Sequence, residues 1–329
     1  MFSRAVLRLT ALLIVSVVGI SCSATTPSTP AAPEVPSTFA TSSTTTTTSA
    51  EETTDPRPTC PSYSLAHIGG VADDSLFEIS GAAWDHRDPN VVWVHEDSAN
   101  PADVIAIDTS TGNTLVRVNL SGHEQYDWED MSLATSSDGA TYLFVGDIGD
   151  NLDSRDYLEL VRLPVPELNT TPSKVENFET VQLRMPEPAN AEALLVDPRS
   201  GDVVVVTKSV TGLAQLFVGE ELAFTTWNPN VPVPLELVGT LDLGVFGAVL
   251  AGDISPDGLN IVLRTPANLW YWHREPNQTI AEAINQNRRC SLPSRFDIYG
   301  EAVAIADDGR YVLLGEGQHS PIYLGVPAT

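Results

Sequence analysis

The chain has 329 residues, and its 17 lysines and arginines against 43 aspartates and glutamates give a formal net charge of −26 at pH 7. A surface this acidic repels nucleic acid and anionic lipid head groups, so we expect neither as a partner. It attracts cations, among them Ca²⁺, whose preferred ligands are carboxylate oxygens. High solubility is the alternative explanation for the same excess of acidic residues.

The first 21 residues predict a targeting segment. Arg4 and Arg8 supply a positively charged region before a short apolar run, ALLIVSVVGI, which is too short to cross a bilayer as a helix. Cys22 follows almost directly, and the arrangement resembles a bacterial lipoprotein signal, in which the cysteine becomes the lipidated first residue. We therefore expect a lipoprotein on the outer face of the bacterial cell membrane. Cleavage after Ala24, which would give a secreted protein, is the alternative.

Residues 22–59 predict a tether. After Cys22 they consist mostly of serine, threonine, proline and alanine, with a run of five threonines from Thr44 to Thr48. Because this composition cannot build an apolar core, we expect a disordered linker between the lipid anchor and the folded part of the chain. The folded domain is expected to occupy residues 60–329.

Residues 60–329 predict an all-β domain built from repeats. Short apolar runs alternate with turns such as SSDG, DPRSG, SPDG and DDG. Five units, 50 to 60 residues apart, share the order strand, Asp/Gly turn, strand with a charged end, as in WEDMSLATSSDGATYLFVGD and GEAVAIADDGRYVLLGE. Four strands in each unit predict a five-bladed β-propeller. A degenerate sixth blade and a single β-sandwich are the alternatives.

The two ends of this domain are expected to meet in the last blade. The fifth unit supplies only three strands, and the segment SYSLAHIGG, directly after Cys60, can supply the fourth. That closure brings Cys60 near Cys290. If Cys22 carries lipid, these two cysteines remain as a pair in a compartment that permits disulfides. Two unpaired thiols are the alternative.

The repeat places charged residues at one mouth of the propeller channel. The starts of inner strands and the ends of the second strands lie on the same face of a propeller. Inner-strand starts include Glu129, Glu192 and Glu301. Second-strand ends supply a further group of charged residues: Asp97, Asp147, Lys208, Arg264 and Glu316.

Three interpretations of this mouth are open. The first is a Ca²⁺ site built from side-chain oxygens. Its expected ligands are Asp97, Asp147, Asp150, Asn151, Glu192 and Glu301. The second is an internal ring of ion pairs neutralised by Lys208 and Arg264. The third is a hydrolytic site in which Glu129 or Asp130 acts as general base and the same two cations hold an anionic substrate.

Several motifs between Glu78 and Glu316 resemble exported bacterial β-propeller proteins of unassigned function: SGAAWD, HEDS, DWEDM, GDIGDN, AEALLVDPRSG, SPDG and GEAVAIADDG. The chain is more distantly similar to the phytase-like (esterase-like) propellers. The latter resemblance implies hydrolysis of a phosphoester or ester, often with Ca²⁺. The lysine-rich phosphate pocket of Ca²⁺-dependent phytases is not visible in this sequence.

The sequence thus predicts a monomeric, lipid-anchored propeller with an acidic face that binds Ca²⁺ and a small-molecule or cell-envelope ligand. Hydrolysis of a phosphoester or ester is one expectation for that face. The alternative is a non-catalytic module that binds a sugar, a peptide or a cell-wall component there, because propellers serve both purposes.

Overall fold

A computed structural model describes residues 60–168 and 174–328, and these residues form a five-bladed β-propeller. The expected fold class and blade number are therefore confirmed. The predicted targeting segment, Cys22 and the tether lie outside the described residues. Within the described part, no helix is long and apolar enough to span a membrane.

The described residues contain 22 strands and one short helix. In chain order they are β1 (Tyr63–Gly70), β2 (Ile79–Trp84), β3 (Val91–Glu96), β4 (Asp103–Asp108), β5 (Thr114–Leu120), β6 (Trp128–Thr135), β7 (Thr141–Asp147), β8 (Leu158–Pro164), β9 (Lys174–Val175), β10 (Glu179–Arg184), β11 (Ala191–Val196), β12 (Val203–Thr207), β13 (Leu213–Gly219), β14 (Val233–Pro234), β15 (Glu236–Asp242), β16 (Ala251–Ile254), β17 (Asn260–Arg264), β18 (Leu269–His273), α1 (Ile280–Gln286), β19 (Cys290–Leu292), β20 (Ala302–Ile305), β21 (Tyr311–Leu314) and β22 (Pro321–Pro327).

Each blade is a four-stranded antiparallel meander that runs outward from the central channel. The first four blades are β2–β3–β4–β5, β6–β7–β8–β10, β11–β12–β13–β15 and β16–β17–β18–β19. The two-residue strands β9 and β14 pair in parallel with β5 and β10. Each of them lies in a loop of one blade and extends the sheet of the preceding blade, so it ties the two together.

Burial follows from this layered arrangement. Inner strands such as β2, β11 and β16 are buried at every position, whereas the outer strand β15 is mostly exposed. The apolar side chains form five cores, one between each pair of neighbouring blades. Small and branched residues on the inner strands fit this two-sided packing, because a strand covered on both faces has no place for solvated side chains.

The ring closes between the two ends of the domain. The fifth blade is β20–β21–β22, and β1 completes it by pairing antiparallel with β22, with Tyr63 opposite Pro327. Cys60 forms a disulfide with Cys290 in β19, and their Cα atoms are 5.6 Å apart. The predicted closing strand and cysteine pair are confirmed. In the chain-entropy model, a bridge across 230 residues contributes about 5.5 kcal/mol to the free energy of unfolding.

The meander defines two faces. The loops that lead into the inner strands, and those that join second to third strands, lie on one face, which we call the mouth face. The Asp/Gly turns between first and second strands lie on the opposite face. These turns are closed locally: Asp257, for example, accepts hydrogen bonds from Ser255 Oγ and Leu259 N at 2.5 and 2.9 Å.

Candidate functional site

Three acidic side chains meet at the mouth of the channel between blades 1 and 2. Asp97 follows β3, Asp127 directly precedes β6, and Glu129 is the second residue of β6. One carboxylate oxygen from each lies within 4.8 Å of the others. We call these three residues the carboxylate cluster. Asp127 and Glu129 are buried, and Asp97 is partly buried.

The GDIGDN loop holds this cluster in place. Asp147 accepts hydrogen bonds from the backbone N–H groups of Tyr126 and Asp127 at 2.7 and 3.1 Å. Gly149 N donates to Asp127 O at 3.1 Å. A Cβ atom at Gly149 would lie 2.3 Å from Glu129 Oε1 and 2.4 Å from Asp127 Oδ2. The absence of a side chain at this position therefore permits the two carboxylates to pack against the loop.

Burial and mutual repulsion leave the cluster holding protons tightly. Burial raises the pKa of Asp97 to about 7, and the neighbouring Asp127 and Glu301 add to the increase, while a hydrogen bond from Ser98 N opposes it. Burial also raises the pKa of Glu129 well above its usual value, and Glu192 and Asp97 contribute. The pKa of Asp127 is raised for the same reasons, burial first and Asp147 second. These groups lack sufficient positive charge around them.

Glu192, the second residue of β11, extends the acidic group toward blade 3. Its Oε1 accepts from Lys208 Nζ at 2.8 Å and from Asn190 Nδ2 at 3.0 Å. Its Oε2 is buried and has no hydrogen-bond partner among the described residues. Burial raises the pKa of Glu192 to about 7 despite the attraction of Lys208. One oxygen of this carboxylate is thus committed and the other remains available.

Glu301 and Glu316 bring the negative charge around to blade 5. Lys208 Nζ lies 3.7 Å from Glu301 Oε1. Burial raises the pKa of Glu316 to about 8, and both the charge of Glu301 and a hydrogen bond with its side chain contribute. The expected ion-pair ring is therefore present in part. Lys208 neutralises Glu192 and approaches Glu301, but one lysine does not balance the acidic residues of the mouth.

Asp130 occupies the wall of the channel, where it joins three inner strands. Its Oδ1 accepts from Met131 N at 2.9 Å, and its Oδ2 accepts from Leu194 N at 2.8 Å and Gly252 N at 3.0 Å. The side chain is fully buried. With both oxygens bonded to backbone N–H groups, Asp130 has a structural role rather than the position of a general base.

Arg264 is also part of the wall. Its Nη1 donates to Ala302 O at 2.7 Å and to Leu314 O, and its Nη2 lies 3.8 Å from Asp297 Oδ2. The side chain is 2% exposed. These contacts tie blade 4 to blade 5 and leave the guanidinium without access to a ligand in the mouth, so the expected role in holding an anion does not fit its position.

The remaining expected ligands shape the GDIGDN loop. Asp150 accepts from Ser154 N at 2.6 Å and Arg155 N at 2.8 Å. Asn151 is exposed, and its Oδ1 lies 3.4 Å from the Nδ2 atom of Asn190. The structure therefore brings Glu129 and Asp97 together in the carboxylate cluster. Glu192 and Glu301 continue the acidic group around the mouth, whereas Asp150 is engaged in forming the loop.

Two residues of the mouth were missing from the expected set. Asp127 lies in the DWED motif, one position before β6, and the strand register alone does not show that its side chain turns into the mouth. Arg155 lies five residues after Asp150, and it donates to Asp147 Oδ1 at 2.8 Å and Gly149 O at 2.7 Å. The density of acidic residues in this stretch was the available signal for Asp127. No comparable sequence signal marks Arg155.

No protein-family model matches the chain, and no curated protein matches it. Among solved structures, it is similar to a glucose dehydrogenase, with 11% identity, coverage of 81% of this chain and 100% of the other, and a TM-score of 0.45. It is also similar to regucalcin from Agrobacterium tumefaciens str. C58, a calcium-binding protein, with 13% identity, coverage of 79% of this chain and 94% of the other, and a TM-score of 0.42. A third similar structure, the WD40 repeats of RRP9, has 9% identity, coverage of 82% of this chain and 99% of the other, and a TM-score of 0.42. At these values, the similarities carry no inference about the chemistry of the mouth.

Proposed function

We propose that the mouth face binds a divalent cation, Ca²⁺, and that an organic ligand binds there with it. The observation that carries the proposal is the approach of carboxylate oxygens from Asp97, Asp127 and Glu129 to within 4.8 Å of one another. The buried and unpartnered Oε2 of Glu192 supports it independently. A cation would supply the positive charge that these side chains lack.

The donor set fits Ca²⁺ better than a transition metal. All the available ligand atoms are carboxylate oxygens, and neither histidine nor cysteine belongs to the cluster. Such hard ligands favour Ca²⁺ or Mg²⁺, and Ca²⁺ accepts the less regular geometry that the end of β3 and the start of β6 provide. Asp97, Asp127 and Glu129 would hold the ion, and Glu192 would complete the negative surroundings.

Hydrolysis of a phosphoester or ester is the first candidate activity. A bound cation would polarise the substrate and acidify a water molecule. Glu192 Oε2, which is buried and receives no hydrogen bond among the described residues, would accept a proton from such a water. Lys208 holds the other oxygen of the same carboxylate at 2.8 Å and so fixes its orientation.

A non-catalytic module that binds a sugar, peptide or cell-wall component at the same mouth is the second candidate. Both candidate functions require the bound cation, and only the hydrolase converts its ligand to products. We expect Glu192→Gln to retain Ca²⁺-dependent ligand binding in either case. If the protein is a hydrolase, this substitution should abolish release of p-nitrophenol from p-nitrophenyl phosphate or acetate. A wild-type protein that binds but releases no p-nitrophenol would favour the module.

The same proposal includes the location inferred from the sequence, with Cys22 lipidated and the propeller held outside the cell membrane by residues 22–59. The described domain is compatible with this because the Cys60–Cys290 disulfide fits an oxidising compartment. Metabolic labelling with a fatty acid analogue, compared between the wild type and Cys22→Ser, tests the anchor. Equal labelling of the two proteins would contradict it.

A Ca²⁺ titration of the full chain tests the central claim. After removal of metal with EDTA, added Ca²⁺ should raise Tm in a saturable manner, and a hundredfold excess over Kd corresponds to about 2.7 kcal/mol. Asp127→Asn should abolish the response. Glu236→Gln, which removes an exposed carboxylate from the outer strand β15, is the matched control and should retain it. A Tm shift of equal size in both variants would contradict a specific site.

A further inference from the structure

A cavity of about 230 Å³ lies on the mouth face of blade 2, where the chain leaves this blade for blade 3. One side is formed by the loop from β7 to β8, and the other by the end of β10 and the loop that follows it. Its polar lining comes from Arg155, Asp156, Tyr157 and Arg184, and prolines complete the second side. Two arginines and one aspartate line this cavity, in a chain with a formal charge of −26.

Arg155 is held in a fixed orientation. Its Nη2 donates to Asp147 Oδ1 at 2.8 Å, its Nη1 donates to Gly149 O at 2.7 Å, and its Cζ lies 4.6 Å from the centre of the Tyr126 ring. A guanidinium has five N–H donors, so these contacts leave others for a ligand. An arginine oriented in advance loses little conformational entropy on binding, and its planar group matches the oxygens of a carboxylate or phosphate.

Arg184 supplies the second positive charge from the facing element. Its carbonyl accepts from Leu235 N at 2.8 Å, which fixes its backbone at the end of β10. Among the described residues, no carboxylate lies within ion-pair distance of its guanidinium, whereas Arg155, Arg162 and Arg274 each have one. Residues 60–329 contain only 14 lysines and arginines. Arg184 thus places one of the few uncommitted cations at this cavity.

We propose that this cavity binds an oxyanion, a phosphate or carboxylate group, through Arg155 and Arg184. The cavity adjoins the carboxylate cluster through one residue, because Gly149 accepts from Arg155 on one side and packs against Asp127 and Glu129 on the other. The inference rests on the proposed function to this extent: the oxyanion is assigned to the same ligand that binds beside the cation. It replaces Lys208 and Arg264 as the expected anion-binding pair.

The test measures binding of inorganic phosphate to the full chain by isothermal titration calorimetry. Metal is first removed with EDTA, and the EDTA, itself a carboxylate, is then dialysed away, so that neither the cation site nor the chelator takes part. We expect saturable binding by the wild type. Arg184→Gln should weaken it at least fivefold, and Arg184→Lys should restore part of the loss. Arg288→Gln removes an exposed arginine from the loop before β19, so it controls for the change in net charge and should bind as the wild type does.

Two results would overturn the assignment: no binding of phosphate by the wild type, or equal weakening by Arg184→Gln and Arg288→Gln. Competition with acetate distinguishes the two kinds of oxyanion. Displacement of phosphate by an equal concentration of acetate indicates a carboxylate ligand, and no displacement indicates a phosphate ligand. Failure of the Ca²⁺ titration with retained phosphate binding would contradict the cation site and leave the cavity assignment intact.

Discussion

Two groups of buried carboxylates in this propeller, one in the channel wall and one at the mouth, differ in their hydrogen-bond donors. In the wall, Asp130 accepts three backbone N–H bonds, and Asp253 accepts two, from Ile254 and Ile305, both at 2.8 Å. Both residues occupy the same kind of position, on an inner strand, and bond to the backbone of the next blade. These carboxylates stabilise the ring.

The mouth also consists of aspartate and glutamate side chains, and some of them are as buried as those of the wall. Unlike the wall carboxylates, they face one another. Burial raises the pKa of Glu129 well above its usual value, with Glu192 and Asp97 adding to it. A buried charge without compensation costs free energy of folding. A ligand of opposite charge would recover that cost. Hydrogen-bond donors, rather than burial, therefore distinguish a structural carboxylate from one that is available to a ligand.

The largest expected effect comes from removing a wall carboxylate. Asp130→Ala leaves three buried N–H groups without an acceptor. At about 1–3 kcal/mol for each unsatisfied group, we expect a loss of about 4 kcal/mol or more in the free energy of unfolding. Urea denaturation measures it. Asp253→Ala, which leaves two N–H groups without an acceptor, should cause a smaller loss. A larger loss for Asp253→Ala than for Asp130→Ala would contradict the inference that Asp130 makes the greater contribution to the channel wall.

The second effect is a dependence of stability on pH. Burial raises the pKa of Asp130 and Asp253 in the wall as well, and the part that Ca²⁺ can change originates in the mouth. A carboxyl group whose pKa is raised on folding binds protons more tightly in the folded state, so the free energy of unfolding falls as pH rises from the unfolded value through the folded one. For Glu192 the interval runs from 4.5 to about 7. Such a shift corresponds to about 3 kcal/mol for a single buried group.

We therefore expect metal-free protein to lose stability between pH 4.5 and 8, since the pKa of Glu316 is raised to about 8 by burial and by Glu301. Saturating Ca²⁺ should flatten this slope because the ion takes the place of the protons. Urea unfolding at several pH values, with EDTA or with Ca²⁺, measures both. A slope that is the same with and without Ca²⁺ would indicate that the ion does not contact these carboxylates.

The sequence was sufficient for the fold because the repeat carries it. Each unit combines an apolar strand, an Asp/Gly turn and a second strand, and the missing fourth strand after Cys60 could be found by counting. The register also brought Glu129, Glu192 and Glu301 to the inner-strand starts. The strand order and the positions of these glutamates both depend on spacing within one repeat, which can be read from the sequence.

The donors to each carboxylate depend on distant parts of the chain. Asp130 bonds to Leu194 and Gly252, which are 64 and 122 residues away. Arg264 bonds to Ala302 O at 2.7 Å, across the boundary to the next blade. From the sequence, Asp130 is indistinguishable from Glu129 beside it, although the two side chains lie in different regions. The roles of acids in the DWED motif could not be separated without these contacts.

The third effect has the opposite sign from the first. Glu129→Gln removes one of several mutually repelling charges from the mouth, so we expect it to raise the free energy of unfolding of metal-free protein at pH 8 by about 1 kcal/mol. The same variant should lose the stabilisation by Ca²⁺. Thermal melts with EDTA and with Ca²⁺ show both changes. Destabilisation comparable to that of Asp130→Ala would place Glu129 with the wall carboxylates.

The smallest effect on stability, and the sharpest on the mouth, is expected from Gly149→Ala. The added Cβ would lie 2.3 Å from Glu129 Oε1 and 2.4 Å from Asp127 Oδ2, so the two carboxylates must move apart. The atoms in the way are the ends of side chains rather than backbone, so they can move, and we expect a loss of stability below about 1 kcal/mol. Since Ca²⁺ requires its ligands together, its affinity should fall roughly tenfold.

Gly146→Ala provides the control for Gly149→Ala, because the nearest atom to its added Cβ is a side-chain carbon of Ile148 at 3.2 Å rather than a carboxylate. It should change stability without a specific loss of Ca²⁺ affinity. Calorimetric titration of both variants with Ca²⁺ decides between a site and a general property of the loop. Equal affinities in the two variants would show that the close approach of Asp127 and Glu129 to Gly149 is only a packing feature, as in the wall.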